Sequence, residues 1–221
     1  MLPASEIQMS VHFLPGKGSD CNILLIGGDR PILVDTGTGG CNSQTLQWIQ
    51  KIAPLEKVDR IVLTHCHFDH AGGASEIMRK TGAKVFIHEK DAGPVENGDA
   101  WGTLSKMFGE NIEAIEVEMI AEGDHLSTGE HDFEVIHTPG HTIGSICLYE
   151  KKSGILISGD TVFVGGVGRW DLPTGDFDSL AASIKKLFAL GPESIYPGHG
   201  SYAGANGKQR IKEDLNGIGE D

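Results

Sequence analysis

The sequence has little of what disulfide-linked, nucleic-acid-binding or membrane-spanning proteins require. Its four cysteines are scattered at positions 21, 41, 66 and 147 without a Cys-x-x-Cys pair, which argues against a disulfide scaffold. Basic residues are also few, since 18 Lys and Arg stand against 31 Asp and Glu, for a formal net charge of −13. Because nucleic acids and anionic membranes attract basic surfaces, we expect neither as a partner.

Long apolar runs are missing as well. No stretch of about 18 apolar residues could cross a membrane, and residues 1–9 lack the charged and apolar regions of a secretory signal. We therefore expect a cytoplasmic protein. With 39% hydrophobic and 22% charged residues, the 221 residues fit one globular domain over residues 1–221.

A concentration of metal-binding side chains is the strongest feature that the sequence does contain. His65, His67, Asp69 and His70 lie within six positions, followed directly by Ala-Gly-Gly. On an extended loop, His65 and His67 point to the same side because they are two residues apart. Imidazole nitrogens with a carboxylate oxygen suit a borderline ion such as zinc or iron. Three of the ten histidines in so short a segment indicate a metal site rather than a chance cluster.

The apolar pattern along the chain predicts strands and helices in alternation in the first half, and mainly strands in the second half. The predicted strands are 7–14, 22–26, 32–34, 60–63, 84–87, 133–137, 145–149 and 155–157, and the predicted helices are 42–53, 74–80, 180–190 and 208–221. Trp101, Leu104, Met107 and Phe108 have helical spacing. For this segment we prefer core packing to the alternative of an apolar lid over a pocket.

Three more candidate ligands follow strand-like runs later in the chain. His141, Asp160 and His199 each lie beside glycine or proline, in the segments Thr-Pro-Gly-His-Thr, Ser-Gly-Asp-Thr and Tyr-Pro-Gly-His-Gly. Loops at strand ends are where a rigid sheet can hold ligands in place. Seven candidates are too many for one tetrahedral zinc and suit two ions that share a carboxylate. Two such ions roughly 3.5–4 Å apart can bridge a hydroxide and polarise a carbonyl, which favours hydrolysis of an activated acyl or phosphoryl bond.

In this order, and with Asp35 upstream, these residues resemble the landmarks of the metallo-β-lactamase superfamily over about residues 7–204. The resemblance implies an α/β fold, a four-layer αββα sandwich of two mixed β-sheets flanked by helices, with the metals along one edge. The ligand sets that it implies are His65, His67 and His141 for one ion, Asp69, His70 and His199 for the other, and Asp160 as the bridge. Asp35 would orient the metal loop by hydrogen bonding, and the alternative is an ordinary turn aspartate.

Two runs, residues 159–163 and 165–173, are similar to the compact glyoxalase II-like branch of this superfamily. That branch implies a metal-dependent hydrolase of thioesters, such as hydroxyacylglutathione or related S-acyl thiols, attacked by a metal-bridging hydroxide. Asp69 or Asp160 would orient the hydroxide and receive its proton. Arg169 would bind a carboxylate of the substrate, or would instead form a structural salt bridge with Asp171.

Two other hypotheses stay open on the sequence alone. One is an oxidoreductase similar to persulfide dioxygenases, in which a single iron would be held by His65, His141 and Asp160. The other is a purely structural role for the metals, which the open loops and the seven ligands disfavour. We expect two divalent ions, zinc by preference with iron or manganese as alternatives, and a small-molecule thioester as the partner. The sequence leaves the oligomeric state open, a homo-oligomer included.

Overall fold

A computed structural model describes residues 10–218 of the chain. The strands in this range are β1 Val11–Leu14, β2 Ile23–Ile26, β3 Ile32–Val34, β4 Arg60–Val62, β5 Lys84–His88, β6 Glu118–Ile120, β7 His125–Ser127, β8 Asp132–His137, β9 Ile146–Glu150, β10 Ile155–Gly159, β11 Val162–Phe163, β12 Gly166–Val167 and β13 Ser194–Pro197. The α-helices are α1 Asn42–Gln50, α2 Phe68–Ala71, α3 Ala74–Thr81, α4 Glu89–Glu96, α5 Phe177–Leu190 and α6 Gly207–Ile218. Two short 3₁₀ helices span Leu55–Lys57 and Ser105–Phe108.

The strands form two large mixed sheets and one small hairpin. The six-stranded sheet has the order β1-β2-β3-β4-β5-β6, antiparallel from β1 to β3 and parallel from β3 to β6. The five-stranded sheet has the order β13-β10-β9-β8-β7, in which β13 and β10 are parallel and the other pairs are antiparallel. Strands β11 and β12 pair with each other in the hairpin.

The side chains of β2 show how the layers are stacked. Leu24 and Ile26 point between the two sheets, where they pack in one cluster with Phe133 and Leu148 of the five-stranded sheet. Leu25 points to the opposite face and packs in the cluster that includes residues of α1, α3 and α4. On the far side, α5 and α6 cover the outer face of the five-stranded sheet. Because both faces are covered, a central strand such as β2 is apolar throughout. The four-layer αββα sandwich predicted from the family resemblance is confirmed.

In two helices that differ from the prediction, a capping hydrogen bond fixes the first residue of the helix. Helix α5 begins at Phe177, before the predicted start at 180, because the Asp176 carboxylate accepts a hydrogen bond from the Ser179 amide at 2.7 Å. Helix α4 is not among the predicted helices. It contains Pro94, and the His88 ring accepts a hydrogen bond from the Lys90 amide and caps its start. The predicted segments 7–9 and 219–221 lie outside the described residues. No helix within 10–218 combines the length and apolarity needed to span a membrane.

The segment from Trp101 to Phe108 belongs only partly to the core. Phe108 packs against Phe68, with ring centroids 5.4 Å apart. Trp101 and Met107 are 74% and 66% exposed, so the core-packing prediction is wrong for these two residues. The reason is the backbone, because Leu104 has a left-handed conformation (φ 62°) and a 3₁₀ helix follows it. The four apolar side chains therefore do not share one buried helical face.

Candidate metal centre

The seven predicted ligands lie in segments that follow the carboxyl ends of strands, five of them in loops and two, Asp69 and His70, in the short helix α2. The carboxyl ends of neighbouring parallel strands meet at the same edge of a sheet, where ligands are usually bound. The ligands after β4 of the six-stranded sheet are His65, His67, Asp69 and His70, and those after β8, β10 and β13 of the five-stranded sheet are His141, Asp160 and His199. The site is therefore assembled from both halves of the sandwich.

His65, His67 and His141 form what we call the first triad. Each offers a ring nitrogen within 4.8 Å of the other two, and all three residues are buried. Nδ1 of His67 lies 2.9 Å from Nε2 of His141. Nδ1 of His141 is 2.7 Å from the carbonyl oxygen of Arg169, to which it can donate. A hydrogen bond at that nitrogen fixes the ring so that Nε2 faces the triad.

Asp69, His70 and His199 form the second triad, which is more open to solvent. Nε2 of His199 lies 3.1 Å from Oδ2 of Asp69 and 3.3 Å from Nε2 of His70. The side chains of Asp69 and His199 are 18% and 33% exposed, whereas that of His70 is fully buried. This opening leaves the second triad accessible to a small molecule.

Asp160 lies between the two triads. Its Oδ1 is 3.3 Å from Nε2 of His70, and its Oδ2 is 3.7 Å from Nε2 of His141 and 3.6 Å from Nε2 of His199. One carboxylate thus contacts a member of the first triad and two members of the second. That is the placement needed for a bridging ligand.

Burial controls the protonation of the histidines. Burial and the charges of neighbouring histidines lower the pKa of His65 well below 6.5 and that of His67 to about 3, so both rings are neutral, the form that binds metals. Burial alone would lower the pKa of His70 as well. Electrostatic interactions with Cys21 and with the carboxylates of Asp35 and Asp160 outweigh burial and raise the pKa of His70 well above its usual value. These neighbours therefore favour the protonated form of the His70 ring in the absence of a metal ion.

The two acidic ligands stay ionised despite being buried. Burial would raise the pKa of Asp69, but a hydrogen bond to His199 and the charge of His70 hold it below its usual range. Burial would also raise the pKa of Asp160, and His70, His141 and His199 hold it far below. The site therefore offers anionic oxygens at neutral pH.

Asp35 anchors the second triad from behind. Its Oδ2 lies 2.8 Å from Nδ1 of His70, and its carboxylate accepts hydrogen bonds from the amide and hydroxyl of Thr64 at 2.8 and 2.9 Å. These contacts hold the His70 ring with Nε2 toward the other ligands. Asp35 therefore bonds directly to a candidate ligand, and its orienting role stays a prediction.

Two supporting residues were not predicted from the sequence. Thr64 bonds to Asp35, and its hydroxyl is 3.1 Å from Nδ1 of His65. Asp91 is buried in the first turn of α4 and bonds to segments next to His65 and His141. One feature of the sequence could have indicated Asp91. It follows β5, which is the parallel neighbour of β4, the strand that leads to His65.

Five of the seven candidate ligands form the floor of an open cleft of about 330 Å³, namely His67, Asp69, His141, Asp160 and His199. Its walls are largely apolar and are formed by Leu104, Met107, Phe108, Phe163, Val167 and Leu172. Arg169 also lines the cleft, while its Nε and Nη2 each donate a 2.9 Å hydrogen bond to Asp171. The salt bridge considered for Arg169 is therefore present, and the side chain is still at the edge of the cleft.

The donor set fits divalent metal ions. Nε2 of His65 is buried without a hydrogen-bond partner among the described residues, an arrangement that is rare unless something else satisfies such an atom. The neighbouring cysteines are poor metal ligands because their thiols stay protonated at neutral pH. Burial raises the pKa of Cys66 well above its usual value and that of Cys21 to about 11. Sγ of Cys66 lies toward the Gly102 carbonyl, away from the neighbouring ligands. Imidazole and carboxylate donors suit zinc, iron or manganese.

Comparison with known proteins identifies the family. Residues 16–199 match the family described as Metallo-beta-lactamase superfamily. The chain belongs to this superfamily. It is 38% identical over 195 residues to the probable metallo-hydrolase MJ0888 of Methanocaldococcus jannaschii, which covers 85% of this chain and 91% of the relative. It is 32% identical over 214 residues to the hydroxyacylglutathione hydrolase GloC of Haemophilus influenzae, which covers 94% of this chain and 99% of the relative.

A solved structure also supports this family assignment. The crystal structure of TTHA1623 in a di-iron-bound form has a TM-score of 0.74 and 32% identity, covering 87% of this chain and 94% of that one. The predicted superfamily, its glyoxalase II-like branch and its fold are confirmed. The family and the donor clusters together place the chain among metal-binding hydrolases. The structure brings the seven predicted ligands together, and their individual roles stay predictions.

Proposed function

We propose that this chain is a dinuclear metal hydrolase that cleaves thioesters. The observation that carries the proposal is that Asp160 contacts both triads at the floor of one open cleft. The similarity to a hydroxyacylglutathione hydrolase supports a thioester as the bond that is cleaved. The di-iron-bound form of TTHA1623, at 32% identity, supports a site for two ions.

The ligands divide between the two ions as the triads do. His65, His67 and His141 would hold one ion, Asp69, His70 and His199 the other, and Asp160 would contact both. Two divalent ions, zinc by preference with iron or manganese as alternatives, would activate a water molecule and polarise the thioester carbonyl.

Asp69 is placed to receive the proton of the attacking water. Its carboxylate is more exposed than that of Asp160, and its lowered pKa keeps it ionised at neutral pH. Asp69 would accept the proton, and the more buried Asp160 would orient the water. The leaving thiol has an ordinary pKa of about 8.5, so its departure as a thiolate needs no strong general acid.

The lining of the cleft suggests separate positions for the acyl group and for the thiol carrier of the thioester. An apolar acyl group would lie against the apolar lining, which includes Leu104, Met107, Phe163 and Leu172. A volume near 330 Å³ is at the lower end for ligand pockets, which favours a small acyl group. Arg169 at the edge is placed to bind a carboxylate of the thiol carrier in competition with Asp171.

The test begins with protein purified without chelator, on which bound metals are counted. Release of free thiol is then measured with hydroxyacylglutathione and with acyl thioesters of increasing chain length, and the matching oxygen esters serve as substrate controls. Asp160→Asn is expected to lower kcat/KM by about 100-fold or more while the protein stays folded. Asp132→Asn, which changes an exposed carboxylate far from the cleft, is the matched control and is expected to leave kcat/KM unchanged.

The alternatives predict different results in the same experiment. Close to one iron per chain, no thiol release, and oxygen consumption with a persulfide would overturn the hydrolase in favour of a mononuclear dioxygenase. Unfolding of Asp160→Asn together with loss of metal would instead support a purely structural role for the ions.

A further inference from the structure

Asp91 is a buried carboxylate that takes part in neither triad and has no contact with the cleft. It is 1% exposed. Its Oδ2 accepts hydrogen bonds from the Cys66 amide at 3.0 Å and from the Thr142 hydroxyl at 2.7 Å. Its Oδ1 accepts a hydrogen bond from the Gly144 amide at 2.8 Å. One side chain therefore joins two segments that are far apart in the sequence.

Both of those segments carry members of the first triad. Cys66 lies directly between His65 and His67, and Thr142 directly follows His141. The first segment follows β4 of the six-stranded sheet and the second follows β8 of the five-stranded sheet. Asp91 thus connects the two sheets at the point where their ligands must meet.

Gly144 allows this close approach. A Cβ on residue 144 would lie 2.5 Å from both Cγ and Oδ1 of Asp91, which is far inside normal contact distance. Thr142 is also constrained, since its hydroxyl is 2.7 Å from Oγ of Ser145. The loop after His141 is therefore shaped around the Asp91 carboxylate.

Asp35 serves the other half of the site in a comparable way. Its direct contact with a ligand is the 2.8 Å bond to Nδ1 of His70, in the second triad. No contact of Asp91 with the second triad is present among the described hydrogen bonds and ion pairs. Asp35 thus contacts the second triad directly and reaches His65 only through Thr64, whereas Asp91 bonds to the segments beside the first triad.

We propose that Asp91 is a positioning residue for the first triad, holding the His65–His67 loop and the His141 loop in register so that their imidazoles converge before an ion binds. Charge-assisted hydrogen bonds from three donors are strong enough to fix two backbone segments. An asparagine at this position would turn an NH₂ group toward at least one of those donors. The predicted consequence is weaker metal binding at the first triad and unchanged binding at the second. The inference rests on the proposed function, since it assumes that the triads bind metal.

The experiment measures metal affinity in backgrounds that keep one triad each. His199→Gln removes a donor of the second triad and leaves the first, and His141→Gln does the opposite. Chelated protein is titrated with Zn²⁺ by calorimetry, with and without Asp91→Asn. We expect Asp91→Asn to weaken binding by about 10–100-fold in the His199→Gln background, with less than about a threefold change in the His141→Gln background.

Two further variants keep the result interpretable. Thr142→Val removes one of the three donors and keeps the carboxylate, so it should give a smaller loss of affinity at the same triad even if Asp91→Asn folds poorly. Asp35→Asn should show the reverse pattern, with the larger loss in the His141→Gln background. Circular dichroism of each metal-free variant shows that the protein is folded.

The outcomes separate the inference from the proposed function. Equal affinity with and without both Asp91→Asn and Thr142→Val, or equal losses in both backgrounds, would overturn the positioning role while leaving the hydrolase proposal intact. Failure of the His199→Gln protein itself to bind Zn²⁺ would overturn the assignment of the first triad, and the inference with it.

Discussion

Gly198 offers a sharp test of how closely the ligands are packed. A Cβ at this position would lie 2.1 Å from Oδ1 of Asp160 and 2.7 Å from Cε1 of His70. Gly198 is not among the residues with positive φ, so Gly198→Ala introduces a contact problem and no backbone strain. Carbon and oxygen atoms in ordinary contact are about 3.5 Å apart, so the Asp160 carboxylate would have to retreat by about 1 Å or more.

This displacement sets the size of the expected effect. A misplacement of about 1 Å can lower the rate of an enzyme roughly 100-fold, and Asp160 contacts both triads. Overpacking a buried site costs about 1–3 kcal/mol of stability. For a chain of this length each kcal/mol lowers Tm by about 2–4 °C. We therefore expect Gly198→Ala to lose about 100-fold in kcat/KM with only a moderate drop in Tm.

The assay pairs thioester hydrolysis with calorimetry and metal analysis. Gly166→Ala is the matched control, because Gly166 lies in the hairpin beside the cleft with nothing within 4 Å of the added Cβ and no positive φ. If Gly198→Ala keeps its bound metal and hydrolyses thioesters within about threefold of the wild-type rate, then Asp160 tolerates displacement and its proposed role is wrong.

The remaining predictions concern the cleft, the metals and a site remote from both. Met107→Lys is expected to raise KM for apolar acyl thioesters several-fold with little change in kcat, because Met107 lines the cleft without touching the ligands, and a chain-length series measures this. Arg169→Ala should raise KM for thioesters of anionic thiols and leave neutral ones unchanged, as a comparison of two carriers would show. Removal of metal by chelation should lower Tm, since an ion present at 100 times its Kd adds about 2.7 kcal/mol. Asp214→Asn should raise the free energy of unfolding at pH 7 by about 1–3 kcal/mol, where the upper figure is the full effect of a pKa raised from about 4 to about 6 and solvent screening lowers it. Burial and the charge of Glu213 raise the pKa of Asp214 to about 6. The folded chain therefore binds a proton that the unfolded chain releases near pH 4, so stability falls as pH rises from 4 to 6. Urea unfolding should show no gain from this substitution below pH 4.

The ligands could be predicted from the sequence because their chemistry is concentrated and their order is distinctive. His65 and His67 lie in one loop, and His141 and His199 each follow a strand-like run and a glycine. Parallel strand ends then bring such residues to one edge of the fold. Asp35 was singled out through the family resemblance, and the structure places its carboxylate 2.8 Å from Nδ1 of His70.

What could not be predicted depends on local backbone geometry that leaves no periodic signal. Asp91 lies in a helix that contains Pro94, and its importance follows from three hydrogen bonds to residues distant in sequence. The left-handed conformation of Leu104 turns Trp101 and Met107 outward, which helical spacing could not indicate. Charge and apolar pattern indicate whether a residue prefers a buried or an exposed environment. The environments of Asp91, Trp101 and Met107 depend instead on which distant segments pack against them.

The division of the ligands between the sheets links metal binding to the packing of the sandwich. The first triad takes His65 and His67 from one sheet and His141 from the other, so its three nitrogens converge only when the two sheets are correctly placed. A buried carboxylate that joins the two loops reduces the ordering that an incoming ion must bring about, and ordering that is complete before binding does not weaken affinity. The second triad differs, because Asp69 and His70 share one helical turn and only His199 comes from the opposite sheet. Local structure already positions two of its three donors, so the second triad has less need of a carboxylate that joins the two sheets.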